Sequence, residues 1–298
     1  MAVTSSPVTQ GVRLKARRTG PTLWMASPMA LLMVAGYVFP GGLMFAISLG
    51  YPIGGGAAHV HLNFDKYIAL AHQSYLWHVL FFTLLVSAAT ALLNAVLAYP
   101  VGLFLARSRT RWAALCYLIT FTPLAVGMNM LTIGWLIMLG RNGVINTVLE
   151  RLGLISDPLP LSYGLLAVII GLAHISFTFM VLPLETVIRS IDPALERAAR
   201  SLGAPRWKIL LSITLPLSWD GIAAGMLIVF MQSCGAFVIP LLLGGSSTVM
   251  LPVAIWEQMT VSNDRAGGAA LSVVLTVIAL VVLLVQLRFF NKLRGPSQ

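Results

Sequence analysis

Hydrophobic residues along this chain are grouped into long runs that are separated by short polar stretches. Six runs are each long enough, at about 20 residues or more, to cross the roughly 30 Å hydrocarbon core of a bilayer as an α-helix. They cover residues 23–49, 76–105, 113–139, 163–187, 220–243 and 268–288. Prolines inside several runs are compatible with membrane helices, because neighbouring helices can satisfy the freed backbone groups. The pattern predicts an all-α integral membrane protein with six transmembrane helices.

The composition agrees with this class and excludes others. Hydrophobic residues make up 58% of the 298 residues and charged residues only 9%, whereas a soluble domain has about 45–50% and about 25%. The net charge of +10 is not accompanied by an aromatic-rich basic module, so we expect no nucleic acid as a partner. Cys116 and Cys234 lie inside hydrophobic runs and are predicted to be free thiols.

The distribution of basic residues predicts the orientation in the membrane. Fifteen of the nineteen lysines and arginines fall in residues 1–22, 106–112, 188–219 and 288–294, on one side of the predicted bundle. The positive-inside rule therefore places both termini in the cytoplasm. The predicted domains are a cytoplasmic tail at 1–22, a first helix with its periplasmic loop at 23–75, a membrane domain at 76–290 and a cytoplasmic tail at 291–298.

The longest polar stretch between hydrophobic runs covers residues 192–216. Asp192 can cap a helix that starts at Pro193, and Gly203 suits the position just after its end. Such a helix, Pro193–Leu202, is about 15 Å long and too short to cross a membrane. Its apolar face would carry Leu195, Ala198, Ala199 and Leu202, and its polar face Glu196, Arg197, Arg200 and Ser201. One interpretation is a helix that lies on the lipid surface.

A second interpretation rests on spacing. Six residues of the stretch match the EAA loop of binding-protein-dependent ABC importer permeases: Ala198, Ala199, Gly203, Ile213, Leu215 and Pro216. The stretch resembles that loop, except that Arg197 occupies the position of the loop's glutamate and Glu196 lies one residue earlier. The resemblance implies a cytoplasmic coupling helix that docks on a separate ATPase subunit. Its residues would be Glu196, Arg197, Ala198, Ala199, Arg200, Gly203, Ala204, Ile213, Leu215 and Pro216.

Three further segments resemble the spermidine/putrescine branch of this family. They are F-D-K-Y at 64–67, A-Y-P-V-G-L-F-L-A-R at 98–107 and G-V-I-N-T-V-L-E-R-L-G-L-I-S-D-P at 143–158. The resemblance implies the type I transmembrane fold, a second homologous permease subunit, a periplasmic binding protein and a bacterial inner membrane location. Permeases for iron(III), 2-aminoethylphosphonate and sulfate or molybdate share this architecture, so the substrate class stays open.

The chain carries no motif for catalysis or for nucleotide binding. No stretch reads G-x-x-x-x-G-K-[ST], so ATP and Mg²⁺ would be bound by the partner ATPase and not by this chain. We expect no cofactor and no metal site, and we interpret His59 and His61 as solvated loop residues. An ion-coupled secondary transporter and a membrane enzyme are the alternative classes. The first would need an acidic ion-coupling site deep in the membrane, which the sequence does not supply.

Polar residues inside the runs are candidates for the substrate pathway. The predicted pathway-lining residues are Asn94, Asn129, His174, Gln232 and Glu257, with Thr178 and Ser233 as further candidates. Each could instead form a hydrogen bond between helices. Trp135, Tyr163 and Trp256 are interpreted as interfacial aromatic anchors. Glu185 and Arg189 are spaced for a helix-end ion pair. Glu257 and Asp264 would lie on the outer side, where they could meet a cation.

Overall fold

The computed structural model describes residues 20–51, 64–246 and 248–293, and every regular element in these ranges is helical. This confirms the predicted all-α class. In chain order the helices are α1 (Gly20–Ser48), α2 (Asp65–His72), α3 (Ser74–Arg107), α4 (Arg111–Ala125), α5 (Met128–Leu139), α6 (Val144–Arg151), α7 (Leu165–Ser190), α8 (Pro193–Ser201), α9 (Arg206–Ile209), α10 (Leu215–Leu217), α11 (Trp219–Cys234), α12 (Val238–Leu243), α13 (Leu251–Trp256) and α14 (Arg265–Leu293). Two π-helical segments, Leu210–Thr214 and Glu257–Val261, follow α9 and α13.

The chain divides into two compact units, one that ends at Met44 and one that begins at Phe45. The described part of the first unit is the greater part of α1, with Pro28 and Pro40 inside the helix. Most of the tail predicted at 1–22, the C-terminal end of the chain from residue 294, and both His59 and His61 lie outside the described residues.

The second unit is built around three helices, α3, α7 and α11, which pack against one another more extensively than any other described elements do. Their contact surface is filled by fully buried aliphatic side chains, among them Ala98, Leu105, Met180, Leu184 and Val229. A second cluster joins α3 and α7 to α5 and α12, and a third joins the start of α3 to α13 and α14. The three-helix core therefore holds the other elements in place.

Four described helices have the length and apolar composition of a membrane span. These are Ser27–Ser48, Ser74–Arg107, Leu165–Ser190 and Arg265–Gln286, and the number rises to six if each of two bent helix pairs is counted as one span. Four of the six predicted runs are thus single helices, and the other two are interrupted.

The predicted span at 113–139 is not one helix. The chain bends by 102° between α4 and the helical stretch Met128–Arg151. Pro123 removes one backbone donor near the end of α4, and Val126 and Gly127 then leave the helical conformation, with ψ of 98° and 145°. The break separates two short helices, neither of which would cross the hydrocarbon core alone.

The predicted span at 220–243 also differs from the structure. Helix α11 ends at Cys234, and α12 starts only at Val238. A continuous helix would bring the ring of Pro240 against the carbonyl of Ala236, so the break before Pro240 relieves a steric clash. At its other end α11 follows the helical stretch Arg206–Leu217 after a bend of 63°. The second bent pair therefore consists of Arg206–Leu217 and α11, and α12 is not part of it.

Helix α11 approaches α7 through two glycines spaced four residues apart. A Cβ added at Gly221 would lie 3.0 Å from the Cα of Leu184 and from the carbonyl oxygen of Pro183, and one at Gly225 would lie 2.5 Å from the Sδ of Met180. Small residues at i and i+4 let two membrane helices approach at backbone distance. This pair therefore fixes the α7–α11 contact on which the core depends.

Candidate functional site

Helix α8 starts as the sequence predicts. The Asp192 side chain accepts a hydrogen bond from the backbone N–H of Ala194 at 2.8 Å, and Pro193 occupies the first helical position. Both features satisfy or remove backbone donors that an isolated helix start leaves without partners. The short polar helix is therefore defined at its start by local sequence.

The end of α8 is closed by a left-handed glycine. Gly203 has φ of +81°, its N–H donates to the carbonyl of Arg200, and the N–H of Ala204 donates to the carbonyl of Ala199. This pair of bonds is the Schellman motif. Gly203 follows the end of the helix, as predicted, although the last helical residue is Ser201 and not Leu202.

The apolar face of α8 is turned outward. Leu195 and Ala198 are exposed, Ala199 is partly exposed, and Leu202 is 88% exposed just beyond the helix end. An apolar side chain that is exposed on a polar connection between membrane helices marks a surface suited to a partner. Arg197 and Arg200 are exposed on the same helix.

Glu196, on the predicted polar face of α8, is largely buried against the bundle. Its side chain is only 15% exposed and forms an ion pair of 2.7 Å with the Nη2 atom of Arg107, whose side chain is 23% exposed. Arg107 Nη1 also donates to the carbonyl of Ile191, and the Thr214 hydroxyl lies 3.4 Å from the same Glu196 oxygen. The carboxylate thus joins α8 to the end of α3 and to the π-helical segment.

The second half of the predicted motif lies in the hairpin that returns to the membrane bundle. Ile213 and Leu215 are half-buried, Pro216 is exposed, and Leu215 packs against the core formed by α3, α7 and α11. Thr214 between them is buried. The motif therefore combines an exposed helix, α8, with an apolar anchor on the bundle.

The end of α7 next to α8 carries a second charged cluster. The predicted ion pair between Glu185 and Arg189 is present at 2.5 Å, and the hydroxyl of Tyr117 also donates to Glu185. Arg189 donates in addition to the carbonyl of Leu105 at 3.0 Å. These bonds connect α7 to α3 and α4 beside the Arg107–Glu196 pair.

Several predicted pathway residues meet inside the three-helix core. Asn94 is fully buried on α3 and its amide donates to the hydroxyl of Ser176 on α7 at 2.8 Å. Gln232 and Ser233 on α11 line a small cavity together with Ser176. The Asn94 Oδ1, Gln232 Oε1, Ser233 Oγ and Thr90 Oγ1 atoms are buried without a hydrogen-bond partner among the described residues. Buried polar atoms are usually paired, so this cluster is a candidate contact for water or substrate.

Other predicted residues lie elsewhere. His174 accepts a hydrogen bond of 2.9 Å from the indole of Trp135, so Trp135 joins two helices and is not a free interfacial anchor. Thr178 bonds to the carbonyl of Thr120. Asn129 is exposed, contrary to the expectation that polar residues in the spans face the bundle interior.

The other two predicted interfacial anchors, Tyr163 and Trp256, have exposed side chains, as anchors at the membrane interface would. Glu257 is half-buried at the start of the second π-helical segment.

Asp264 differs from the expectation of an acidic group available to a cation. Its Oδ2 atom accepts from Lys66 Nζ at 2.8 Å, and its Oδ1 atom accepts from the backbone N–H of Gly267 at the start of α14. The hydrogen bond from Lys66 holds the pKa of this carboxyl below its usual value. Lys66 therefore neutralises Asp264. Within the described ranges, no three His, Cys, Asp or Glu side chains are grouped closely enough to hold a metal ion.

Arg107, Thr214 and Ser176 contribute to these clusters, although the sequence does not single them out. Arg107 and Glu196 are separated by 89 residues, so no local pattern signals their contact. Gly221 and Gly225 are also absent from the predicted sites, but their spacing of four residues in an apolar run is a recognisable signal of close helix packing.

The chain is similar to known proteins over most of its length. Residues 98–295 match the family model described as "Binding-protein-dependent transport system inner membrane component". The chain is 28% identical over 256 residues to the spermidine/putrescine transport system permease protein PotB of Haemophilus influenzae, a match that covers 86% of this chain and 89% of the relative. It is 34% identical over 224 residues to the PotB protein of Escherichia coli K12, covering 75% and 81%.

Two other matches extend the comparison. The molybdenum transport system permease protein ModB of Mycobacterium tuberculosis is 29% identical over 231 residues, covering 76% of this chain and 85% of the relative. A chain of the crystal structure of a bacterial alginate ABC transporter, in complex with an alginate pentasaccharide-bound periplasmic protein, superposes with a TM-score of 0.74. It is 18% identical and covers 93% of this chain and 96% of that chain, so it supports the fold alone.

Proposed function

Because the chain belongs to the family of binding-protein-dependent transport system inner membrane components, we propose that it is a permease subunit of an ABC importer and that its substrate is a polyamine such as spermidine or putrescine. The chain itself is a membrane component of a transport system, with the type I fold of this family. The finer assignment concerns its partners, its substrate and its orientation.

The observation that carries the proposal is helix α8. It is capped at both ends, its apolar face is exposed, and Glu196 ties it to α3. A short helix of this kind can receive a displacement from a docked subunit and pass it to the membrane bundle. The proposed contact residues for the ATPase are Arg197, Ala198 and Ala199. Arg200, Gly203 and Ala204 complete the last turn and the end of the coupling helix, and Ile213, Leu215 and Pro216 anchor the hairpin.

The proposed assembly contains two ATPase subunits, a second homologous permease and a periplasmic binding protein. A single bundle of this size would supply one half of a pathway. ATP-driven closure of the ATPase pair would bring the two coupling helices together and reorient the two bundles, which is alternating access. Binding of ATP and Mg²⁺ is assigned to the ATPase subunits, so this chain has no catalytic residue of its own.

The substrate class is supported by the relatives named for spermidine and putrescine transport. The similarity to a molybdenum permease is weaker than that to the Escherichia coli relative, and it keeps an oxyanion as the second candidate. In the described part of the chain, Glu257 is an outer-side carboxylate that could meet a passing cation. Asn94 and Gln232 are the proposed contacts deeper in the bundle, because each presents a buried oxygen atom that has no hydrogen-bond partner in the described part of the chain.

The proposed location is the bacterial inner membrane with both termini in the cytoplasm. The asymmetry of lysine and arginine supports this orientation. In this orientation α8 would lie in the compartment that contains ATP, whereas α2, α6 and the Lys66–Asp264 pair would face the periplasm.

Reconstitution tests the proposal. The chain would be inserted into liposomes together with the proposed ATPase, second permease and binding protein, and uptake of radiolabelled spermidine would be measured with and without internal ATP. We expect concentrative uptake that needs all four components. Liposomes with this chain alone are the control and should show none.

Two outcomes would change the assignment. If the associated binding protein binds molybdate or another oxyanion and has no affinity for polyamines, the substrate class is wrong but the permease assignment is kept. If an ion gradient drives uptake by this chain alone, the chain is a secondary transporter and the permease assignment fails.

A further inference from the structure

A cavity of about 720 Å³ opens between the end of α3 and the hairpin formed by α8 and α9. Its lining has two chemically distinct parts. Three arginines, Arg107, Arg200 and Arg206, contribute to one part, and apolar side chains including Leu103 and Leu210 contribute to the other. A cavity with both a basic and an apolar lining suits an amphiphilic anion.

The charges in the cavity do not cancel. Glu196 is the one carboxylate in the lining, and it is already paired with Arg107. Within the described chain neither Arg200 nor Arg206 forms a salt bridge, so two guanidinium groups remain available. Guanidinium groups bind phosphate through paired hydrogen bonds, which an ammonium group does not match.

The cavity lies at one end of α3, a helix long enough to span a membrane. Helix α3 has 34 residues and is therefore about 51 Å long, slightly more than the roughly 40–45 Å of a bilayer with its headgroups. A helix of this length that spans the bilayer reaches the headgroup layer with its Arg107 end, and Leu103 lies one turn closer to the hydrocarbon core. Trp207, which also lines the cavity, is 65% exposed, and exposed tryptophans concentrate at this boundary.

We propose that this cavity binds the phosphate headgroup of an anionic phospholipid. Arg200 and Arg206 would contact the phosphate, and an acyl chain would lie along Leu103 and Leu210. A free phosphate ion would share the headgroup chemistry, but it would leave the apolar half of the cavity without a partner. The lipid would bridge α3 and α8, so the anionic lipid content of the membrane would affect how firmly the coupling helix is held.

Native mass spectrometry of the purified full-length chain tests this site. The chain would be exchanged into phosphatidylglycerol or into phosphatidylcholine, and retained lipid would be counted for the parent and for an Arg200→Gln/Arg206→Gln variant. The matched control is Arg197→Gln/Lys208→Gln, which removes the same charge from exposed positions on the same two helices outside the cavity. We expect the parent and the control to retain phosphatidylglycerol in preference to phosphatidylcholine, and the Arg200/Arg206 variant to bind it on the order of tenfold more weakly.

Each other outcome would overturn the proposal. Equal loss in the test and control variants would mean a diffuse charge effect and no site. Binding of inorganic phosphate that competes fully with phosphatidylglycerol would assign the cavity to a free anion. The single variants Arg200→Gln and Arg206→Gln, with helical content checked by circular dichroism, provide the test if the double variant does not fold. The measurement uses neither ATPase nor substrate, so its result is independent of the proposed transport function.

Discussion

Gly203 is a residue whose backbone conformation restricts what can replace it. Its φ of +81° lies in the left-handed region, whereas the space that a Cβ would occupy is open, with no atom within 4 Å. A Gly203→Ala substitution should therefore cost about 1–2 kcal/mol through backbone strain alone. We expect the end of α8 to shift and the amount of co-purified ATPase to fall several-fold.

The matched control for Gly203 is Gly134→Ala. Gly134 also has open space around its Cβ position, but it lies inside helix α5, where alanine is favourable. This variant should retain the ATPase as the parent does. Equal retention by both variants would mean that the end of α8 does not contribute to docking.

The Lys66–Asp264 pair predicts a small dependence of stability on pH. Because the folded-state pKa of Asp264 is lowered, mainly by the hydrogen bond from Lys66, its contribution is present above the ordinary carboxyl pKa of about 4 and is lost as pH falls through the folded value. The two side chains are 43% and 36% exposed, so screening limits the contribution to less than about 1 kcal/mol.

Asp264→Asn tests this pair, because asparagine can still cap the start of α14. The variant should melt slightly below the parent at pH 7 and together with it once the pH is below the lowered folded-state pKa of Asp264, and adding Lys66→Met should cause no further loss at neutral pH. A difference of the same size under both conditions would show that the charge is not responsible.

At the scale of elements, the contact between α7 and α11 depends on glycine. A Cβ at Gly221 would lie 3.0 Å from backbone atoms of α7, and backbone cannot move aside as a flexible side chain can. Gly221→Val should therefore separate the helices and lower the melting temperature in detergent, with an overpacking cost of about 1–3 kcal/mol. Ala224→Val, at an exposed position of the same helix, should melt close to the parent.

The elements also show what the sequence can and cannot predict. The caps of α8 are predictable, because Asp192 and Gly203 act on backbone groups within a few residues. The break before Pro240 follows from a local clash, yet apolar composition alone does not reveal it. The inward turn of Glu196 is not predictable, because its partner Arg107 is supplied by a helix that is distant in sequence and adjacent only in the fold.

At the scale of the whole molecule, the orientation can be tested by labelling single cysteines. In a background with Cys116→Ser and Cys234→Ala, cysteines introduced at the exposed positions His72 and Ser201 should react from opposite sides. We expect His72→Cys to react with an impermeant maleimide in intact spheroplasts and Ser201→Cys to react only after permeabilisation. The reverse pattern would mean that α8 faces the periplasm, away from ATP.

The Arg107–Glu196 pair also limits how freely parts of such permeases can be exchanged. A chimera that receives a foreign loop in place of α8 would keep Arg107 on α3 but lose its carboxylate, and a largely buried charge would be left without its counterion. The segment that can be exchanged between permeases is therefore larger than the loop that contains α8. A successful graft has to carry both residue 107 and residue 196.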